Sequence, residues 1–253
     1  MRMVNDAHIH FGWWRHKTSN RLRYFSPLHI TTITKRAGID MFCASSTSVF
    51  KESFGFILDE YRELNGISQG RCRSFLWLTL PEFLKNPHLK LPDDLIFSGI
   101  KIHNGESAWL ANPCHLNRLL SIASERGYRV VVHTGMDDEQ AKFYLCYCQR
   151  FPNVYFNLAH MRPIDQIIPM MAMCQNIYAD ISFVDIETLA RCHDRLNSKR
   201  ILFGTDYPVV LDYERCTFKH YVEARVNHVK LYFIDETSLV LRDNFKRFLG
   251  ESN

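Results

Sequence analysis

Along the 253-residue chain, short apolar runs rich in Val, Ile and Phe recur: RMVNDAHIH (2–10), GIDMFCASS (38–46), RSFLWLTL (73–80), SGIKIH (98–103), RVVVHT (129–134), NVYFNLAH (153–160), NIYADIS (176–182) and RILFGTD (200–206). Runs of this length and residue type predict strands. Between most of them lie segments with apolar residues at helical spacing. In CHLNRLLSIASERG (114–127), Leu116, Leu119, Leu120 and Ala123 share one stripe and Gly127 stands as the stop. DDEQAKFYLCYCQR (137–150) opens with acids suited to a helix N-terminus, and PIDQIIPMMAMC (163–174) and DIETLARCHDRLNS (185–198) have the same character, with Pro169 expected to kink or shorten the first of them.

Strands alternating with helices imply parallel strands joined by crossover helices, and eight of them can close into a (β/α)8 barrel of the TIM type. An open doubly wound sheet is the competing architecture, but no G-x-G-x-x-G follows any candidate strand. The length suits one such barrel, so a single domain over 1–253 is expected. DETSLVLRDNFKRFL (235–249) reads as a final helix packing across the barrel, and FGWWRHKTSNRLRYFS (11–26) as an unusually long, aromatic βα connection of the kind that often carries function.

Composition adds mainly exclusions. The net charge is +4, from 31 basic and 27 acidic residues that are dispersed, so no nucleic-acid-binding face is expected. The densest basic stretches, HDRLNSKR and KRILFG, read as solvated helix ends and loops. Neither a signal peptide nor an apolar run near the roughly 20 residues of a membrane span is present, so a soluble, cytoplasmic protein is expected. The eight cysteines (Cys43, Cys72, Cys114, Cys146, Cys148, Cys174, Cys192, Cys216) lack C-x-x-C spacing and read as reduced, mostly buried thiols. Cys146 and Cys148, two apart on a helix, would face different sides.

The informative pattern is where ionisable residues fall on the strands. His8 and His10 end the first run, Lys101 and His103 the fourth, His133 the fifth, His160 the sixth and Asp206 the eighth. In a parallel barrel these ends meet at one mouth, where active sites of this architecture sit. A lone histidine in an apolar strand is ordinarily a hydrogen-bonded core residue, but several strand ends bearing His or Asp at one mouth require another explanation, because buried polar groups are costly unless partnered. His8, His10, His133 and Asp206 offer three imidazoles and a carboxylate, a set suited to Zn²⁺, with Mn²⁺, Fe²⁺ or Co²⁺ as alternatives. A catalytic zinc keeps one position open and lowers the pKa of a bound water to about 7. His160 is placed to orient that water or move a proton.

At these residues the chain resembles the amidohydrolase superfamily, in its amidohydrolase-related branch of lactonases, amide hydrolases and nonoxidative decarboxylases. The resemblance runs from DAHIHFG through GIKIH, VVVHTG, FPNVYFNLAH and NIYADIS to RILFGTDYP and DNFKRFLG. It implies a distorted (β/α)8 barrel, one metal held by His8, His10, His133 and Asp206, and catalytic roles for His160 and Asp206. Binuclear relatives bridge two metals through a carboxylated lysine or a glutamate; Lys101 could serve, but GIKIH looks more like this branch's own fourth-strand motif, so one metal is expected. Related deoxyribonucleases carry a glutamate near that position, where this chain has GIKIH.

Where relatives have a small, glycine-containing turn after the sixth strand, this chain has HMRP, which brings Arg162 to the mouth to bind a substrate carboxylate or to pair with a helix-end acid. Lys101 and His103 share a strand face and would contact an anionic substrate, unless Lys101 pairs with a neighbouring acid. Trp13 reads as pocket wall, and Tyr207 as a residue that could reach substrate. The expected activity is hydrolysis of a small, carboxylate-bearing lactone, ester or amide; nonoxidative decarboxylation of an aromatic or enoic acid is the alternative, and a non-catalytic sensor a more distant one. A small-molecule substrate is the expected partner, and the sequence leaves a homodimer open.

Overall fold

The computed structural model describes residues 4–16, 19–103, 108–135, 138–192, 198–214 and 216–251. Asp137 and the side chains of Asp138 and Glu139, read as helix-opening acids, lie outside the described part, as do residues 193–197 of the basic stretch and the Cys192 side chain. All eight apolar runs form strands. They are β1 (Val4–Arg15), β3 (Ile39–Ser46), β4 (Cys72–Trp77), β5 (Gly99–Ile102), β6 (Arg129–His133), β7 (Phe156–Ala159), β8 (Ile177–Asp180) and β9 (Ile201–Leu202), each parallel to the next in chain order. The sheet curls until the segment after β9 meets β1, where Ala7 N–H donates to Phe203 O (2.8 Å), Asp206 N–H to His8 O (2.8 Å) and His10 N–H to Tyr207 O (2.6 Å). The expected (β/α)8 barrel is therefore closed by main-chain hydrogen bonds.

One expectation changes. The stretch read as a long loop after the first run continues β1 to Arg15 and returns as a ninth, antiparallel strand, β2 (Leu22–Phe25), pairing Gly12–Arg15 with Leu22–Phe25. The cause is local: Trp13 faces Tyr24 across the pair with ring centroids 5.0 Å apart, and aromatic cross-strand pairs of this kind stabilise a ribbon.

The helices between the strands follow the apolar stripes. The segment read at 114–127 is a helix over Pro113–Arg126 whose buried residues are Leu116, Leu119, Leu120 and Ala123, with Gly127 in the left-handed conformation at its end (φ 66°). The two following stripes form helices over Asp138–Arg150 and Ile164–Met173, the latter containing Pro169, and the next is a short helix over Ile186–Cys192. Arg200, expected to be solvated, is buried. It donates to the carbonyls of Cys174 (2.6 Å) and Ile177 (3.3 Å) at the start of β8.

Inside the barrel two tiers follow from strand periodicity. Cys43, Phe75, Val131, Tyr178 and Leu202 form a lower apolar tier with Ala7 and Ala159, capped by Phe245 and Phe248 of the last helix (Asn244–Leu249); Phe248 stacks on Phe75 with centroids 6.2 Å apart. The expected packing of the chain's end across the barrel thus holds, with the helix preceded by a π-helical turn at Leu239–Asp243. Two residues further along the same strands stand Ser45, Trp77, His133 and Asp180, on the same face by the two-residue repeat. One end is plugged with apolar side chains and the other presents polar ones. No described helix is long and apolar enough to cross a membrane.

The seam between β1 and the closing segment is held by Asp6, fully buried, which accepts from His8 N–H (3.0 Å), Thr205 N–H (3.1 Å) and Thr205 Oγ (2.7 Å). Replacing Asp6 with Ala strands three buried donors, and we expect a loss of about 3 kcal/mol in urea unfolding; an unchanged midpoint would show that the seam does not depend on this carboxylate. Of the seven described thiols, Cys114, Cys146 and Cys216 are exposed and Cys43, Cys72, Cys148 and Cys174 buried, with Cys146 and Cys148 on different sides of their helix. Burial pushes Cys43 and Cys148 well above the ordinary thiol range and Cys72 up to about 12. Maleimide should therefore label the first three in the native protein and the other four only after unfolding, as read by peptide mass spectrometry.

Candidate metal centre and active-site cavity

β1 delivers His8 and His10 to the open end of the barrel, 3% exposed each, with their Nε2 atoms 3.1 Å apart. The seam hydrogen bonds Asp206 N→His8 O and His10 N→Tyr207 O bring Asp206 alongside, with its Oδ1 3.0 Å from His10 Nε2 and 3.4 Å from His8 Nε2. The protons can be assigned from the neighbours. His8 Nδ1 faces the Asp180 carboxylate (3.2 Å), and His10 Nδ1 faces the Ser45 carbonyl (3.4 Å) and hydroxyl (2.9 Å). A carboxylate and a carbonyl only accept, so each Nδ1 carries the proton and each Nε2 presents a lone pair.

Burial keeps His10 neutral, pushing it down to about 4 against the pull of Asp206. For the Asp206 carboxyl, burial acts upward and the neighbouring His8 and then His10 act downward, the net direction being down. Asp206 Oδ1 is buried and receives no hydrogen bond among the described residues. Two imidazole nitrogens and a carboxylate oxygen thus converge on one point, with Lys101 Nζ 3.0 Å from His8 Nε2, and the N,N,O donor set fits a divalent ion of borderline hardness.

Asp180 is the hub that orients this set. Besides His8 Nδ1 it accepts from Asn157 Nδ2 (2.9 Å), from the N–H groups of His160 (3.3 Å) and Ser182 (3.1 Å), and from Ser182 Oγ. Ser182 Oγ in turn accepts from His160 Nδ1 (2.8 Å), so His160 Nε2 is unprotonated, and burial pushes His160 down to about 3. His160 and Asp206 both hold positive φ (71° and 56°), a region sparsely used by residues other than Gly.

His8, His10 and Asp206 come together as expected. His133, expected beside them, stands one imidazole away: its Nδ1 is 3.1 Å from His160 Nε2, and its ring stacks on His103 with centroids 3.9 Å apart. His103 is itself stacked on Trp77 (5.9 Å), and its Nδ1 is buried without a partner among the described residues. Lys101 is 1% exposed, its Nζ lies 3.0 Å from His8 Nε2, and it forms no direct ion pair with an acid among the described residues; burial pushes it down to about 8.

Above these residues lies a cavity of about 1000 Å³, bordered by His10, Lys101, His103, His133, His160 and Asp206 below and by Trp13, Lys51, Trp77, Arg162 and Phe183 on its walls. Arg162 lies over the Phe183 ring (5.5 Å) and forms no ion pair among the described residues. Tyr207 is corrected: its hydroxyl pairs with His29 Nε2 (2.8 Å) and its ring packs on Phe218, away from the cavity. Asp180, Ser182 and Ser45 were missed, although DIS in NIYADIS shows the same strand-end alternation that singled out the histidines.

The amidohydrolase family model matches residues 88–225, more than half of the chain. The chain belongs to the amidohydrolase family. It is accordingly an enzyme of the hydrolase type. No curated protein matches it. Among solved structures, an amidohydrolase from Burkholderia multivorans with bound zinc superposes with a TM-score of 0.72 at 14% identity, over 99% of this chain and 100% of that one. A probable 2-pyrone-4,6-dicarboxylic acid hydrolase from Acinetobacter baumannii, with citric acid bound, gives 0.68 at 11% identity over 98% and 99%. A 4-oxalomesaconate hydratase from Rhodopseudomonas palustris gives 0.66 at 11% identity over 98% and 96%. At these identities the superpositions establish the shared barrel.

The ligand assignment is tested by elemental analysis of purified variants. Replacing His8 and His10 together with Ala, or Asp206 with Ala, should reduce bound divalent metal from near one per chain to background, and His133→Ala should lower it as well. Full retention in the double variant would reject the cluster, and full retention in His133→Ala alone would remove His133 from the ligand set.

Proposed function

We propose that this amidohydrolase hydrolyses a small, carboxylate-bearing lactone, ester or amide at a single metal site held by His8, His10 and Asp206, with His133 as a further ligand. The observation that carries the reading is the convergence of the two Nε2 lone pairs and Asp206 Oδ1 at the floor of an open cavity. When bound there, a divalent ion such as Zn²⁺ supplies Lewis-acid polarisation of a carbonyl and acidifies a coordinated water.

The chain's own residues do the rest. His8 and His10 are held in the ligand-competent tautomer by Asp180 and Ser45. Asp206, ionised and at hydrogen-bonding range of the same point, takes the proton released from water and returns it to the leaving group. His160, locked by Ser182 with its Nε2 unprotonated, accepts a hydrogen bond from the attacking water and fixes its direction. Lys101 and Arg162 border the cavity as cations, and the Arg162 fork is suited to bidentate capture of a substrate carboxylate.

Nonoxidative decarboxylation uses the same floor and differs in needing a proton delivered to carbon. Hydrolysis is preferred because the family model that the chain matches is that of the amidohydrolases.

Zinc-replete protein presented with a panel of lactones, esters, amides and aromatic or enoic acids should release acid from a member of the first three classes and no carbon dioxide from the last. His160→Asn should lower kcat by about 10²–10⁴-fold with metal content intact. Carbon dioxide release without hydrolysis would transfer the reading to the lyase class.

A further inference from the structure

The cavity has one wall that the reaction chemistry leaves unused. β1 overruns the barrel rim and returns as β2, so Trp13 borders the cavity beside Lys51, which follows the turn after β3. Lys51 Nζ lies 3.6 Å from the centroid of the Trp13 ring, and Trp13 Nε1 is a buried donor with no acceptor among the described residues. Lys51 also pairs with Glu52 at 3.3 Å, an exposed contact of the kind that contributes little and yields readily to another anion.

Behind this wall sits a carboxylate remote from the metal cluster. Glu60, 3% exposed, accepts from Ser46 Oγ (2.6 Å) and Ser48 Oγ (2.9 Å). Ser48 Oγ then accepts from Trp13 N–H (3.3 Å). Gly12 permits this approach: its φ is +92°, and a Cβ there would lie 2.4 Å from Ser48 Oγ. One buried carboxylate thereby holds the turn that precedes Lys51 and, through Ser48, the β1 strand of the hairpin. A carboxylate at this depth is tolerated only when donors offset its desolvation, and here the donors are the elements that shape the wall.

The charges complete the case. Among the described Lys, Arg, Asp and Glu side chains bordering the cavity, Arg15, Lys51, Lys101 and Arg162 are basic and Asp206 is acidic. Lys51 follows β3 and Arg162 follows β7, which the strand order places on opposite sides of the barrel.

We propose that Lys51 Nζ, seated over the Trp13 ring and positioned by the wall that Glu60 anchors, forms a subsite for a second, distal anionic group, so that the enzyme selects acids charged at both ends over monoanions. This rests on the reading of the site as a hydrolase of carboxylate-bearing substrates. The test is calorimetric titration of zinc-replete protein with linear dicarboxylates from succinate to suberate and with monocarboxylates of matching length. The wild type should bind its best dicarboxylate about ten-fold or more tighter than the matching monocarboxylate, the scale of one charge-assisted hydrogen bond.

Lys51→Met should erase that ratio while leaving monocarboxylate affinity within about two-fold, and Glu60→Gln should reduce the ratio in the same direction, as expected for charge-assisted contacts of this size. Absence of measurable binding by either class, a wild-type ratio near one, or an undiminished ratio in Lys51→Met would each overturn the subsite. Zinc content and hydrolysis are measured on the same preparations. Loss of either with the ratio intact counts against the hydrolase reading alone, and loss of the ratio with both intact counts against the subsite alone.

Discussion

The seam that closes the barrel is also what builds the metal centre. Asp206 N–H donates to His8 O and His10 N–H donates to Tyr207 O, so the main-chain pairing that joins the last strand to the first fixes Asp206 against the two N-terminal imidazoles. Residues about 200 positions apart in the chain become neighbours through backbone geometry, and their side chains need no further machinery to converge. Asp6 reinforces the same seam from below through His8 N–H and both donors of Thr205. Stability and chemistry are therefore coupled here: loosening the closure would separate the ligands before it exposed much of the core.

The polar tier has a second organiser in Asp180. It orients His8 directly, holds the His160 backbone at positive φ, and through Ser182 fixes the His160 ring. An ionised carboxylate with this many donors is stable in a dry interior, whereas Asp206 Oδ1, also buried, has none among the described residues. The contrast separates the two acids by role without reference to any relative: one is saturated by protein donors and orients, the other keeps its lone pairs directed at the point where the imidazoles meet.

Much of this was legible in the linear sequence because strands report both faces. Alternation in DAHIH and the position of His133, His160 and Asp206 at the ends of apolar runs located the polar tier, and the stripe in 114–127 gave its helix to within one residue at the start, with Gly127 as its stop. The hairpin was not legible as such: its residues are polar and aromatic together, and the pairing of Trp13 with Tyr24 depends on a return that periodicity within one segment does not encode. Tyr207 was misplaced because a strand-end position says nothing about side-chain direction once the backbone leaves the strand after Asp206. Arg200 was misjudged because charge density in sequence cannot reveal carbonyls of distant segments waiting for a donor. Glu60 gave no signal at all, being one acid in an ordinary amphipathic helix.

The division between floor and rim also bears on how far likeness to other barrels can carry. The floor is constrained by the coordination chemistry of an ion and by the seam, so it can persist among chains sharing only 11–14% identity. The rim faces no comparable constraint. Here it consists of a hairpin anchored by Glu60, an arginine laid over Phe183, and a stack of Trp77, His103 and His133, each held by local contacts that another sequence could replace without disturbing the barrel. Reaction type is therefore argued from the strands and substrate choice from the segments that follow them. For this chain those segments surround the one acidic ligand, Asp206, with basic groups on opposite sides, and that distribution of charge is what a substrate would meet first.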